Sequence, residues 1–518
     1  MRVTRRDARP RCSRRSALIA VTALASCVSG CRRHDTGDAN DERSGAATKQ
    51  GERVAEAGLE ARRATPRAKR GSASTVLLGA VATPEMAQVS IEDDLLLASE
   101  VFAAPMRVLF AKGPGFVGVQ VLDAQPRGSA IVAALAELFA PRGGRDAHYR
   151  AAQLPIDAAA QKEALAQELA AASASARGGA LLLYIAGHGE PGETPAESRV
   201  SLFGEEGLDV RGLVALLDQT PVGTRQRIIA TTCFSGGFAE LVFVDADSKK
   251  GASPRDRCGL FASPWNQEAA GCDPDPDRRA HEGFGVYFLN ALAGRARDGT
   301  ALPRDTVDFD GDGKISLLEA HAYARIASPA PDVPTTSSER WLRHAVGDKK
   351  IGASRSRSVS WPEEQAVLTA LEARLGPAAA AKDSLAELED TVDQLADEAD
   401  QAAQAEDRAA RRAAADLLAR WPVLDDPWHP DFGATVLRDR GAIEQTLAHS
   451  KSYAAFRAAR QALSEADDRL WEQRRAAAPL MRLVRTHENL ALAGALAARG
   501  GEGWRVFTRL LACERSLP

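Results

Sequence analysis

The chain has 518 residues, 45% of them hydrophobic and 26% charged, with a formal net charge of −4. That length leaves room for about two to four domains, each with its own core. No basic pole or basic stripe dominates, which argues against a nucleic-acid binder that works by neutralising phosphates.

Arg11 to Arg15 give a charged start, and Ser16 to Ser26 a moderately apolar stretch too short to span a bilayer. This reads as an export signal. Leu24-Ala25-Ser26-Cys27 and Val28-Ser29-Gly30-Cys31 both resemble the bacterial lipobox, whose cysteine is lipidated and becomes the first residue. Cys31 is favoured and Cys27 is the alternative, because a cut at Cys27 leaves a second cysteine beside the anchor. The plainer reading is an ordinary secretory signal. The expected place is the cell envelope, on the periplasmic or extracellular face, with the membrane reached through the lipid. Residues 32–72 hold almost no large apolar groups and read as a flexible tether.

Residues 74–81 form the first candidate strand and 91–102 a helix. Short strand-like runs follow at 106–110 and 117–122, a helix at 129–139, and an amphipathic helix at 155–171. Ala180 to Ala186 is a continuous apolar run that ends in Gly187-His188-Gly189-Glu190. After a helix at 209–217, a second such run, Ile228 to Thr232, ends in Cys233-Phe234-Ser235-Gly236-Gly237. Apolar runs of this kind read as strands buried on both faces. Alternating strands and helices predict a mostly parallel sheet flanked by helices, an α/β domain spanning 73–350. Sites in such sheets form past the carboxyl ends of the strands. Here one end offers an imidazole and the other a thiol. A thiol is nucleophilic as thiolate, and a neighbouring imidazole favours that form.

The Gly-His-Gly-Glu turn and the Thr-Thr-Cys-Phe-Ser-Gly-Gly turn resemble those of the caspase, legumain, gingipain and metacaspase group of cysteine peptidases. The Cys-x-Ser-Gly order is similar to that of legumains and metacaspases, whereas the caspase form Gln-Ala-Cys-x-Gly is absent. The resemblance covers about 73–350. It implies a caspase-like fold and an endopeptidase acting on protein or peptide substrates. Cys233 would be the nucleophile, His188 the acid/base, and the backbone N–H groups of Gly189 and Cys233 the oxyanion hole. A catalytically silent scaffold of the same fold is the alternative.

Leu241 to Val244 reads as a further strand, and the polar loop 245–280 as the place where specificity resides. A basic preference would need acidic groups, and Glu190, Asp245 and Asp247 are near in sequence. An acidic preference would need Arg255 or Arg257. Export permits disulfides, which makes Cys258 and Cys272 a candidate pair and leaves Cys513 over. A core helix is expected at 283–292.

Asp308-Phe309-Asp310-Gly311-Asp312-Gly313-Lys314-Ile315-Ser316-Leu317-Leu318-Glu319 matches an EF-type calcium loop. Asp308, Asp310 and Asp312 supply carboxylates, Lys314 a carbonyl, Ser316 a ligand or water, and Glu319 the closing carboxylate. Hard oxygen donors at this spacing suit Ca²⁺, structural or regulatory; an acidic start to the following helix is the plainer reading. No organic cofactor is indicated. Residues 329–360 read as a boundary and 351–518 as an α-helical region. Leu385, Leu388, Val392, Leu395, Ala399 and Ala402 trace a heptad seam. It suits a helical hairpin, or else a partner or self-association through 361–518.

Overall fold

The computed structural model describes residues 73–517, apart from 103–104, 124–129, 141–146, 177–178, 205–206, 278–280, 348–356 and 427–428. The signal, the candidate lipidation sites Cys31 and Cys27, and the tether lie outside the described residues. Among the described residues, no helix is long and apolar enough to cross a membrane.

The architecture is mixed α/β. Six strands form the main sheet: β1 Ala73–Ala80, β2 Met106–Phe110, β3 Ala180–Gly187, β4 Arg225–Ala230, β5 Arg257–Phe261 and β6 Thr335–Thr336. Their spatial order is β6-β5-β4-β3-β1-β2. All neighbours run parallel except the edge strand β6, which is antiparallel to β5. The chain leaves β1 for β2 on one side and reaches β3 on the other, so the order reverses at β1. Ligands gather at such switch points, beyond the carboxyl ends. The apolar runs explain the central strands. Val76, Leu77 and Leu78 of β1, Leu183 to Ile185 of β3 and Ile228 to Ala230 of β4 are all fully buried.

Helices α1 Val89–Val101 and α5 Phe284–Leu292 pack together, as do α3 Lys162–Ala176 and α4 Val210–Asp218. Helix α2 Ala130–Phe139 lies apart, in a second apolar cluster with C-terminal residues. The chain continues through α6 Leu317–Ala327, α7 Ser337–Val346, α8 Pro362–Leu375 and α9 Ala378–Leu418. Helices α10 Phe432–Arg438, α11 Arg440–His449, α12 Lys451–Arg499 and α13 Gly501–Glu514 complete it. The long helices α9 and α12 form a hairpin. In it the heptad seam is used within the chain: Ala399 packs with Ala466 and Leu470, flanked by Val392, Leu395 and Ala402.

The helical C-terminus also enters the core of the sheet. Phe507, Leu510 and Leu511 of α13 share one apolar cluster with β1, β3 and β4. A disulfide fixes this junction, and it corrects the expected pairing. Cys258 on β5 bonds Cys513 on α13, across a sequence separation of 255, and Cys272 remains outside any disulfide. Strand β5 presents Cys258, fully buried, to α13, against which it packs.

Other expectations shift. Residues 235–242 form a 3₁₀ turn where a strand over 241–244 was expected. Leu241 to Phe243 are buried as the cover of α4 and α7, not as a ladder. Val119–Leu122 pairs with Ala147–Arg150 in a separate two-stranded ribbon. Helix α3 starts at Lys162, later than expected, because residues 157–158 are bonded alongside β2. Asp157 N–H donates to Val108 O at 2.8 Å, and the Asp157 carboxylate accepts from Val108 N–H at 2.9 Å. The boundary 329–360 itself holds β6, the edge strand of the sheet, and α7.

Candidate active site

His188 follows the last residue of β3. Its N–H donates to Ala80 O at the end of β1, at 2.8 Å. The ring is fully buried and reaches back to the β1–α1 connection. Nε2 lies 2.9 Å from Met86 O and 2.8 Å from Gln88 Oε1. A backbone carbonyl can only accept, so Nε2 carries the proton and Nδ1 keeps its lone pair. Burial pushes the pKa down to about 4, although the Met86 carbonyl acts in the opposite sense. The imidazole is therefore neutral at neutral pH, with Nδ1 as its basic atom.

Cys233 stands three residues beyond the end of β4. Thr231 N–H still bonds Ile185 O at 2.9 Å, which keeps the two strand ends together. Phe234 then adopts a left-handed backbone, φ 57°, and Ser235–Val242 coils away. A non-glycine residue in that region is uncommon and costs roughly 1–3 kcal/mol, so the surroundings must hold it. Ser235 does part of this: its Oγ accepts from the N–H groups of Ala262 and Ser263, at 3.1 and 3.3 Å.

The histidine turn and the cysteine turn meet at Gly189. A Cβ there would collide with the Cys233 carbonyl and stand 3.0 Å from Thr232 Oγ1. Only glycine permits this approach, which brings together the elements bearing His188, Gly189 and Cys233.

The Cys233 thiol is 3% exposed, covered by polar backbone. Its Sγ accepts from Ala269 N–H at 3.3 Å and donates to Ala269 O at 3.4 Å. The covering loop is pinned from beneath. Asp332 accepts from Ala270 N–H at 2.6 Å and from Phe284 N–H at 2.7 Å. Burial raises the Asp332 carboxyl to about 6 despite these bonds. Helix α12 holds the same region. Arg482, fully buried, donates to the carbonyls of Asp332 and Ser328, both at 2.7 Å. Burial lowers its pKa to about 10, so it stays charged. Arg474 pairs with Glu268 at 2.8 Å and Arg475 with Glu282 at 3.1 Å.

The groups weighed for specificity are engaged with partners of their own. Glu190 faces Arg199 at 3.8 Å and Asp245 pairs with Lys250 at 2.7 Å. Asp247 caps a short turn through Lys249 N–H. Arg255 and Arg257 both bind Asp218 at the end of α4.

The acidic loop before α6 converges. Carboxylate oxygens of Asp308, Asp310 and Asp312 lie within 4.8 Å of one another. Asp308 Oδ2 accepts from Gly313 N–H at 2.9 Å, whereas its Oδ1 is buried and has no hydrogen-bond partner. Glu319 closes the loop by accepting from the N–H groups of Phe309, Asp310 and Ser316. Ser316 caps α6 through Glu319 N–H at 3.2 Å. An orphaned carboxylate oxygen beside two others is a donor set that a hard cation fits, with the Lys314 carbonyl in the same loop.

Several groups here carry no sequence signal. Met86 acts through a backbone carbonyl, which any residue supplies. Gln88 and Asp332 are single polar residues in ordinary surroundings, 100 residues before His188 and 99 after Cys233. No family model matches the sequence, and no curated protein matches it.

Proposed function

We propose that the chain is an exported, caspase-like cysteine endopeptidase. The observation that carries this reading is the contact of two strand-end turns at Gly189. One turn bears a neutral histidine whose tautomer is fixed, the other a thiol outside any disulfide. In this reading His188 Nδ1 takes the Cys233 proton and later hands it to the leaving amine. Sγ attacks the peptide carbonyl to give a thioacyl enzyme, which water hydrolyses. The N–H groups of Gly189 and Cys233 supply the oxyanion hole, donors that act where charge develops.

The loop over Cys233 favours a second reading, the catalytically silent scaffold that binds through its helical half. A peptide bearing a thiol-directed electrophile decides between them. Labelling at Cys233, lost in Cys233→Ala together with peptide cleavage, supports the peptidase. A full-length Cys233→Ala protein that cleaves as well as the parent removes it.

Calcium at Asp308, Asp310, Asp312, Lys314, Ser316 and Glu319 belongs to the same proposal, as a clamp on the start of α6. So does anchoring in the envelope through lipid on Cys31, or on Cys27. The buried Cys258–Cys513 disulfide supports export, since such bonds persist in oxidising compartments.

A further inference from the structure

Helix α9 packs one side against α12 and leaves the other open. Buried Leu385, Ala399, Ala413 and Leu417 mark the packed side. Helical periodicity lines up Ala386, Asp390, Asp393 and Asp397 on the opposite side. Gln404, Arg408, Arg411 and Ala415 continue the same stripe, and every one of these residues is exposed. Its charge changes sign midway. No basic residue occurs from Asp383 to Asp407, and then Arg408, Arg411 and Arg412 follow. Its spacing is the same from either end, in steps of four, three, four, seven, four, three and four residues. Asp390, Asp393 and Asp397 are neighbours at three or four residues, as are Arg408 and Arg411, and like charges so placed repel. Among the described residues, none of these aspartates or arginines makes an ion pair within the chain.

We propose that this stripe is a contact between two copies of the chain, with their α9 helices side by side and antiparallel. The inference is independent of the peptidase reading and uses the face opposite the heptad seam. A two-fold axis between residues 400 and 401 sets Asp390 against Arg411 of the second copy, and Asp393 against its Arg408. Asp397 meets an amide, Gln404. Ala386 meets Ala415 at both ends, where small side chains let the backbones approach. Each pairing occurs twice, as a contact between identical surfaces requires. A parallel arrangement would set every charge against its own kind. A uniformly basic partner would satisfy the aspartates and repel the arginines, whereas a second copy satisfies both. The stripe is about 45 Å long and one helix wide, at the small end of specific interfaces. Exposed ion pairs each contribute little, so the dimer is weak and salt-sensitive.

The test is sedimentation velocity of the full chain over a concentration series, at about 50 mM and about 500 mM sodium chloride. Reversible dimers are expected at low salt, with affinity at least about tenfold lower at high salt. Asp390→Arg with Asp393→Arg should give a monomer, and so should Arg408→Glu with Arg411→Glu. An equimolar mixture of the two variants should dimerise again, because the reversed charges then face each other. Under mild oxidation, Gln401→Cys beside the axis should form a disulfide with residue 401 of the second copy, at low salt only. Ala386→Cys, about 45 Å from its own mate, should form none. A parent chain that stays monomeric at low salt leaves the stripe to another occupant and overturns the proposal. So do dimers that survive both charge reversals, or a mixture of folded variants that stays monomeric. An Ala386→Cys chain that links as readily as Gln401→Cys means parallel pairing and overturns it too. If the charge variants do not fold, the two cysteine substitutions decide alone.

Discussion

Ala269 holds the thiol of Cys233 through both halves of its backbone, N–H at 3.3 Å and carbonyl at 3.4 Å from Sγ. The sulfur is thereby satisfied and closed off by a loop that α12 grips through Arg474–Glu268 and Arg475–Glu282. Each of these partly exposed pairs contributes no more than about 1 kcal/mol. Removing both should shift the opening equilibrium by about 2 kcal/mol at most, roughly a thirtyfold change. Glu268→Ala with Glu282→Ala is expected to speed iodoacetamide modification of Cys233 by about three- to tenfold. The thermal midpoint should fall only slightly. An unchanged rate would show that the loop opens independently of α12.

What could be read in the sequence was local. The runs before His188 and Cys233, and the acidic loop, each lie within a dozen residues and carry their own periodicity or spacing. Both reactive groups and their strand ends were legible for that reason. What surrounds them is assembled from far away. Met86 and Gln88 reach His188 across about a hundred residues. Arg482 sits fully buried in an alanine-rich helix that gave no hint of contact with the sheet half. Cys258 shows the same limit. Its near neighbour Cys272 looked like the partner because the spacing was short and the loop polar. The direction in which β5 turns the side chain is a property of the folded sheet, and it selected Cys513.

The Cys258–Cys513 bond ties β5 to the last helix and closes a loop across a separation of 255. By loop-closure entropy such a link is worth about 5 kcal/mol, and less where the unfolded chain keeps structure. Cys513→Ser should lower stability by about 2–5 kcal/mol in denaturant. Non-reduced digests of the parent should yield a peptide joining residues 258 and 513. A peptide joining 258 to 272 instead would contradict the arrangement of β5 and α13.

The proposed calcium site is the loop that starts α6, whose Leu317 N–H bonds Ser516 O near the C-terminus. A ligand bound only by the folded chain stabilises it by about 2.7 kcal/mol at one hundred times its dissociation constant. Free Ca²⁺ should therefore raise the thermal midpoint, and a chelator should reverse the rise. Asp310 is exposed and carries little packing. Asp310→Ala should abolish the calcium response while leaving the metal-free stability within about 0.5 kcal/mol of the parent. A midpoint that ignores calcium while the protein stays folded removes the metal from the proposal.

Glu514 gives a pH dependence whose sign follows from burial. Its carboxylate accepts from Ser337 Oγ at 2.6 Å, Ser338 N–H at 2.7 Å and Ser338 Oγ at 2.6 Å, so α13 caps the start of α7. These bonds favour the charged form, but complete burial outweighs them and raises the pKa to about 7. The folded chain thus holds this proton more tightly than the unfolded one. Its contribution is fully present below the ordinary pKa of 4.5 and is lost as pH rises through 7. A shift of about 2.5 units corresponds to about 3 kcal/mol between pH 4.5 and 8. Glutamine cannot titrate, so Glu514→Gln should lose none of this. Subtracting the two stability curves across that range removes the other titrating groups, among them His188 and Asp332. The difference should tilt toward the glutamine variant by about 3 kcal/mol as pH rises. A flat difference would mean that the carboxylate stays ionised in the fold, stabilised by its three donors against the cost of burial.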